Sequence, residues 1–422
     1  MNGVINLPFF SQFKRNRQLE LIIFVSVIIH AILLLFDLFM THIFNKETLS
    51  GVTFGLMTDR APDIEVYEAR SKTILEGGVL YRDVYTENPP LIQYLLVLPY
   101  VAGGSIFAYQ IYFSAFNILS AILIYKFPLT EDKKLEFYAS LLFITNPLTP
   151  IVAVLKVTDE PVCVFFFLLP IYFLLKHRLR LASLFLAIGF LVKFFPILLL
   201  PILLKEEKKW LERLILLGIT SVTIVLIYLP FYLIAPDEVM HPIRRYFINQ
   251  KVEGSGLYTI IVHDADISLP DITKRLLIIP IVLTYGFVFK RNYDPLKSIA
   301  IIIIVFLMVY TKVHFEYYLY AIAPISFYVV EPSIKIASYY VYGLIALRTH
   351  EWRHDSLPLV LVHVIILVLI SIFLIITIIN TKEEKEAEID TGKMVEFYRY
   401  IVLILVAFFM SQWVFVRLCD YY

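Results

Sequence analysis

Charge and cysteine are the two things this sequence has little of. Asp, Glu, Lys and Arg make up only 17% of its 422 residues, which excludes a soluble globular domain of ordinary composition. Neither sign is in excess, with 37 Lys plus Arg against 36 Asp plus Glu, so no basic field points to nucleic acid and no acidic tail is present. Two cysteines, Cys163 and Cys419, are too few for a disulfide framework and lack the CxxC or Cys/His spacing of a metal site. There is no internal repeat, no low-complexity tract and no Gly-rich phosphate loop.

What remains is apolar. Hydrophobic residues reach 59%, mean hydropathy is +0.77, and 28 Tyr, 34 Phe and 3 Trp suit interfacial belts. Because backbone polar groups must be satisfied internally in lipid, a span needs about 20 apolar residues, fewer where a helix is broken inside a bundle. On that ruler the chain is an all-α polytopic membrane protein of about 11–13 transmembrane helices. The first span covers about 19–44. Others follow near 107–127, 136–155, 161–177, 179–192, 194–204, 211–235, 274–290, 297–311, 315–331, 334–348, 357–380 and 397–416.

Lys14, Arg15 and Arg17 place the N-terminus in the cytoplasm, and the first segment reads as an uncleaved anchor. Alternating spans then put the basic connectors 176–180, 205–213, 290–291 and 382–393 on the same side. The chain is expected to be one domain, 1–422, without a separate soluble unit. A first outer loop over 45–104 and a second over 236–274 interrupt it. In the first loop Ile64, Tyr67, Ile74 and Leu75 fall on one helical face, ended by Gly77-Gly78, and Pro89-Pro90 opens a second short apolar helix. Both helices are expected to lie along the interface.

Charges at the mouths of spans are costly to desolvate and are candidates for function, although many snorkel. Asp59 and Asp63 stand where the first span leaves the membrane. Either carboxylate can serve as a base toward a hydroxyl held within about 3 Å, while the competing reading makes Asp63 a helix cap. Asp159 and Glu160 share a turn of a few residues before Pro161; capping accounts for one carboxylate, not obviously for two. Lys193 sits where two apolar helices meet with almost no loop, and either snorkels or binds an anion in a cavity. Lys312 and His314 are candidate phosphate partners in an aromatic turn. Arg244 and Arg245 offer a bidentate pair, or simply attraction to anionic headgroups.

Asp63-x-x-x-Tyr67, then Glu76-Gly77-Gly78-Val79-Leu80-Tyr81-Arg82-Asp83, then Asn88-Pro89-Pro90-Leu91 resembles the first-loop segment of the GT-C superfamily. These are polyprenyl (dolichyl)-phosphate-sugar-dependent glycosyltransferases, and the likeness is nearest to mannosyltransferases of the glycosylphosphatidylinositol pathway and their prokaryotic relatives. Lys193-Phe194-Phe195-Pro196 and the stretch from Lys312 to Pro324 add shorter likenesses in the same order.

The resemblance implies a GT-C-like bundle with its active site facing outside, in the cell membrane of a prokaryote rather than the endoplasmic reticulum. A hexose, mannose by family likeness, would pass from a polyprenyl- or dolichyl-phosphate donor to a lipid- or glycan-linked acceptor. It places the base at Asp63, a second carboxylate at Asp159 or Glu160, and donor-phosphate contacts at Lys193, Lys312, His314, Arg244 and Arg245. Asp59, Tyr67 and Tyr81 are further candidates. No cofactor is expected; a divalent metal is compatible with the carboxylates but not required. Partners are donor, acceptor and membrane lipids, with no nucleic acid. A lipid-linked-sugar flippase or transporter, or a ligase of the same superfamily, are the rival readings.

Overall fold

The computed structural model describes residues 8–43, 63–244, 253–254, 276, 278–330, 334–348 and 357–381. Sixteen α-helices lie among these residues. α1 (Pro8–Ile43) precedes the two helices of the first loop, α2 (Ile64–Leu75) and α3 (Pro90–Val101). α4 (Ile106–Tyr125) leads to α5 (Lys134–Thr145) and α6 (Leu148–Val154). α7 (Glu160–Leu175) and α8 (Leu179–Val192) make a hairpin, and a 3₁₀ turn, Phe195–Leu199, runs into α9 (Leu200–Glu206). Then come α10 (Trp210–Ile234), α11 (Pro236–Ile243), α12 (Ile278–Arg291), α13 (Pro295–Val309), α14 (Leu319–Ile325), α15 (Ile334–Arg348) and α16 (Leu357–Asn380).

The protein is thus an all-α polytopic membrane protein. Among the described residues, four helices, α1, α4, α10 and α16, are long and apolar enough to cross a membrane, and the bent pair α5–α6 makes a fifth if it is one span. The other expected spans within the described residues are helical but shorter than the 20 or so residues a straight crossing needs. Short or broken helices are tolerated where protein rather than lipid surrounds the break. The expected span at 397–416, the part of the first loop before residue 63 and most of 245–275 lie outside the described residues.

Proline sets several of the boundaries. It occupies the first turn of α3, α7 and α13, where its missing N–H is no loss. The 49° bend between α5 and α6 falls at Asn146-Pro147. There the Asn146 side chain accepts from Leu148 N (3.1 Å) and donates to Tyr339 O (3.1 Å), so the interruption is satisfied from within and tied to α15. In the first loop, Gly77 takes φ +82°, which ends α2 as expected. The buried face of α2 differs from the expected one: it is Ile64, Tyr67, Arg70 and Ser71, while Leu75 is exposed. Ser71 Oγ donates to Leu96 O of α3 (3.3 Å), so α2 turns its mixed face, not its most apolar one, toward the protein.

Lipid tails are as apolar as leucine, so helix association in a bilayer relies on packing and polar contacts rather than on the hydrophobic effect. α1, α4 and α6 are joined by two such contacts. Gln110 Nε2 donates to Asp37 Oδ2 (2.9 Å) and to Val154 O (2.6 Å). Two turns further along α4, Asn117 Nδ2 donates to Thr149 O (2.7 Å) and meets His30 Nε2 at 3.2 Å. His30 Nδ1 lies 2.8 Å from Ser26 O, which can only accept, so Nδ1 carries the hydrogen and Nε2 receives the amide. All four side chains are buried. The upper contact ends on the last residue of α6, immediately before the acidic turn. Replacing Gln110 with Leu should therefore lower stability by about 1–3 kcal/mol, because Val154 O and Asp37 lose a buried donor. Thermal unfolding in detergent measures this, and an unchanged midpoint would mean that the contact holds nothing.

Candidate active site

One end of the bundle gathers polar groups from four separate stretches of chain. Asp63 stands at the start of α2, Asp159 and Glu160 at the start of α7, Lys193 at the end of α8, and Lys312 to Tyr318 in the turn before α14. α7 and α8 pack closely enough that a Cβ on Gly189 would come within 2.8 Å of Phe166 O. Only glycine fits at that contact, and Lys193, bonded through its N–H to Gly189 O (2.9 Å), is carried to the mouth of α7.

There Lys193 Nζ bonds Glu160 Oε1 at 3.0 Å and Asp159 Oδ1 at 3.3 Å, with all three side chains buried. Asp159, the N-cap residue of α7, makes no side-chain capping bond, so capping does not account for its carboxylate. Asp63 occupies the N-cap position of α2 and makes no side-chain cap bond either. Its Oδ2 instead accepts from the Tyr67 hydroxyl at 3.5 Å, and the same hydroxyl accepts from Asp159 N at 3.2 Å. Tyr67 thus links the first-loop carboxylate to the acidic turn. That turn is itself strained: Val157, two residues before Asp159, is a buried β-branched residue at φ +52°, a conformation that costs on the order of 1–3 kcal/mol and persists only where surroundings enforce it.

Asp63 is exposed by surface area, yet enough protein surrounds its carboxyl that desolvation raises its pKa above the ordinary carboxylate value; the charge of Asp159 raises it further, while Lys193, Arg70 and the Tyr67 hydroxyl pull it down.

Lys312 Nζ pairs with Glu87 of the first loop at 3.0 Å. The backbone at Lys312–Val313 also pairs in parallel with Glu253–Gly254 of the second loop. His314 packs edge-on against Tyr317, whose ring lies 5.6 Å from Lys193 Nζ. Tyr81, at φ +72°, donates to Asn88 O (3.0 Å) and packs on Phe231, and so supports the loop rather than joining the charges. Arg244 is exposed and pairs with Asp237 at 3.8 Å; none of its described contacts involves the carboxylate cluster. Asp59 and Arg245 lie outside the described residues.

The structure adds groups that the spacing argument passed over. Arg70 lies on the same face of α2 as Tyr67, its charge is felt at Asp63, and its Nε donates to Tyr85 O at 3.1 Å. An i, i+3 relation to Tyr67 was the available signal. Lys156 is buried in the acidic turn, 5.9 Å from the Phe315 ring. Glu316 is close enough to feel the charges of Glu160, Asp63 and Lys193, and its Oε2 is buried with no hydrogen bond among the described residues. Nothing in the sequence places Glu316 beside Glu160. No group of three or more His, Cys, Asp or Glu side chains among the described residues has metal-binding geometry.

Beside the cluster lies a narrow cavity of about 80 Å³. Its wall includes Asn88, Lys193, Phe195, Phe306, Tyr310 and Tyr317. Lysine has three N–H donors, and two are taken by Asp159 and Glu160, which leaves one for the cavity. The arrangement therefore presents a carboxylate of raised pKa, a polarised ammonium and an apolar aromatic wall side by side.

No protein-family model matches the sequence, and no curated protein matches it. Among solved structures, the chain is similar to the crystal structure of ArnT from Cupriavidus metallidurans bound to undecaprenyl phosphate. Identity is 13% and the TM-score 0.48, over 85% of this chain and 77% of that one.

The ion-paired trio is the part of the site that stability should report. Lys193→Gln leaves two buried carboxylates facing each other and should cost about 3–5 kcal/mol. Adding Glu160→Gln to that variant should restore much of the loss by removing one of the stranded charges. Thermal unfolding of wild type, the single and the double variant tests this; a double variant no more stable than the single would refute the pairing.

Proposed function

We propose that this protein is a membrane glycosyltransferase of the GT-C type, which moves a hexose, mannose in the first instance, from a polyprenyl-phosphate donor to a lipid- or glycan-linked acceptor. The observation that carries the reading is the meeting of Asp63, Asp159–Glu160 and Lys193 at one mouth of the bundle, against an aromatic cavity. Composition and the first-loop likeness support it independently.

A sugar esterified to a lipid phosphate already has a leaving group. Transfer needs a base for the acceptor hydroxyl and positive charge for the phosphate as it departs. Asp63 is the base in this reading, since its carboxylate is on the open side of the cluster, and its raised pKa brings it closer to that of an effective base near neutral pH. Lys193 meets the departing phosphate with its third N–H. Asp159 and Glu160 hold that ammonium in place, and Tyr67 keeps Asp63 in register with them. Lys312 and His314, between the cavity residues Tyr310 and Tyr317 in the chain, are assigned to the donor headgroup. The acceptor hydroxyl attacks the anomeric carbon opposite the phosphate, its proton passes to Asp63, and the configuration inverts. The site is proposed to face outside, with the N-terminus in the cytoplasm.

Purified protein in detergent, given polyprenyl-phosphate mannose, glucose or arabinose and a lipid-linked acceptor, tests the activity. Sugar transfer is expected, and Asp63→Asn should reduce kcat/KM at least ~100-fold. Because the base must be ionised, rate falls as pH drops through the raised pKa of Asp63, so the acid limb should lie above the ordinary carboxylate range. Asp159→Asn removes a charge that raises this pKa and should move the limb down. Arg70→Gln removes one that lowers it and should move the limb up. Lipid translocation without transfer from any donor would replace the enzyme with a flippase.

A further inference from the structure

At the opposite end of the segment that begins at Lys193 lies a second cavity, unconnected with the acidic cluster. The 3₁₀ turn and α9 carry the chain twelve residues from Lys193 to Lys205, roughly 20 Å at helical rises, which is most of the way across a bilayer core. The cavity, about 330 Å³, opens between α9, α10 and α12. Leu204, Leu214, Leu217 and Phe289 make its apolar wall, and Lys205 and Arg213 are its charged lining residues. Trp210, exposed at the start of α10, also borders it, where an indole suits the boundary between headgroups and acyl chains. α10 is the least buried of the spanning helices, so the cavity opens on a lipid-facing flank.

The polar groups around it are arranged for an anion. Arg213 uses only Nε, donating to Glu207 O (2.6 Å), and its two terminal amino groups have no hydrogen bond among the described residues. Lys205 donates to Tyr293 O (3.1 Å) and lies 5.7 Å from the Phe289 ring centroid, with its nearest carboxylate, Glu206, only at 4.0 Å. The other acids of this connector face elsewhere: Glu212 is taken by Arg180 (3.0 and 3.1 Å), and Glu207 Oε1 accepts from Lys209 N (2.9 Å). The first turn of the 25-residue helix α10 adds its positive dipole end. A guanidinium with a free edge, a neighbouring ammonium and an apolar wall together match one chemistry, a phosphate diester carrying hydrocarbon chains.

We propose that this groove is a binding site for an anionic glycerophospholipid of the leaflet opposite the acidic cluster, with Arg213 and Lys205 on its phosphate and an acyl chain against Leu214, Leu217 and Phe289. The site is independent of the proposed transfer reaction. It lies at the far end of the segment that begins at Lys193.

Native mass spectrometry of the full-length protein, released from mixed micelles of phosphatidylglycerol and phosphatidylcholine, tests it. Wild type is expected to retain phosphatidylglycerol at least ~10-fold over phosphatidylcholine, and Lys205→Gln with Arg213→Gln to abolish the preference. Leu214→Trp, at an exposed wall position where folding is not at stake, should fill the groove and displace the lipid as well. Equal retention of the two lipids by wild type would overturn the proposal. So would undiminished preference in either variant, or displacement of phosphatidylglycerol by equimolar polyprenyl phosphate.

Discussion

A single ammonium placed among carboxylates at the rim of an apolar bundle is the interaction on which the candidate site depends. Lys193 is buried between Asp159 and Glu160, and Asp63 and Glu316 both feel its charge. Desolvating three ions costs several kcal/mol each, recovered only when geometry is good and each charge faces its opposite. That requirement explains the local structure around it. The glycine contact between α7 and α8 brings the lysine close, Tyr67 bridges from the first loop, and the turn at Val157 is held in a conformation valine rarely adopts.

Elsewhere the bundle is assembled by means suited to lipid. The carboxamides of Gln110 and Asn117 each donate to the backbone of α6 and each meet an ionisable side chain of α1. Val154 is the last residue of the short helix α6, so its carbonyl has no partner within that helix and takes the Gln110 amide instead. The polar contacts inside the bundle and the charged cluster at its rim are therefore parts of one support. In lipid an unsatisfied polar group has no water to turn to, so these few contacts help to specify which helices meet, beside the packing of the surrounding Leu and Ile.

Much of the helical layout is legible in one dimension. Apolar runs, proline starts and the Gly77 stop mark helices close to where they occur, because the backbone in lipid has no alternative to helix and proline marks where one can begin. What the runs do not reveal is length. Several expected spans are helices of seven to sixteen residues, stopped by local contacts such as the Asn146 side chain rather than by a change in hydropathy. The buried face of α2 shares Ile64 and Tyr67 with the apolar stripe but is completed by Arg70 and Ser71, which turn inward because partners wait for them, and no periodicity of apolar residues encodes that.

The sequence by itself determined that the protein is a polytopic helical membrane protein and that its few charges collect at the mouths of spans, since transfer free energy and backbone satisfaction act on each segment separately. It also brought Asp63, Asp159, Glu160 and Lys193 forward as candidates, with helix capping or snorkelling as the competing readings. Which of those charges meet was decided only by tertiary structure. Lys193 is 33 positions from Glu160 and 130 from Asp63, and Glu316 is 156 beyond Glu160. Coulombic and hydrogen-bonding energies depend on distance through space, and packing of α2, α7, α8 and the turn before α14 sets that distance. Packing likewise opened the groove at Lys205 and Arg213, whose residues read in sequence as nothing more than another positive connector.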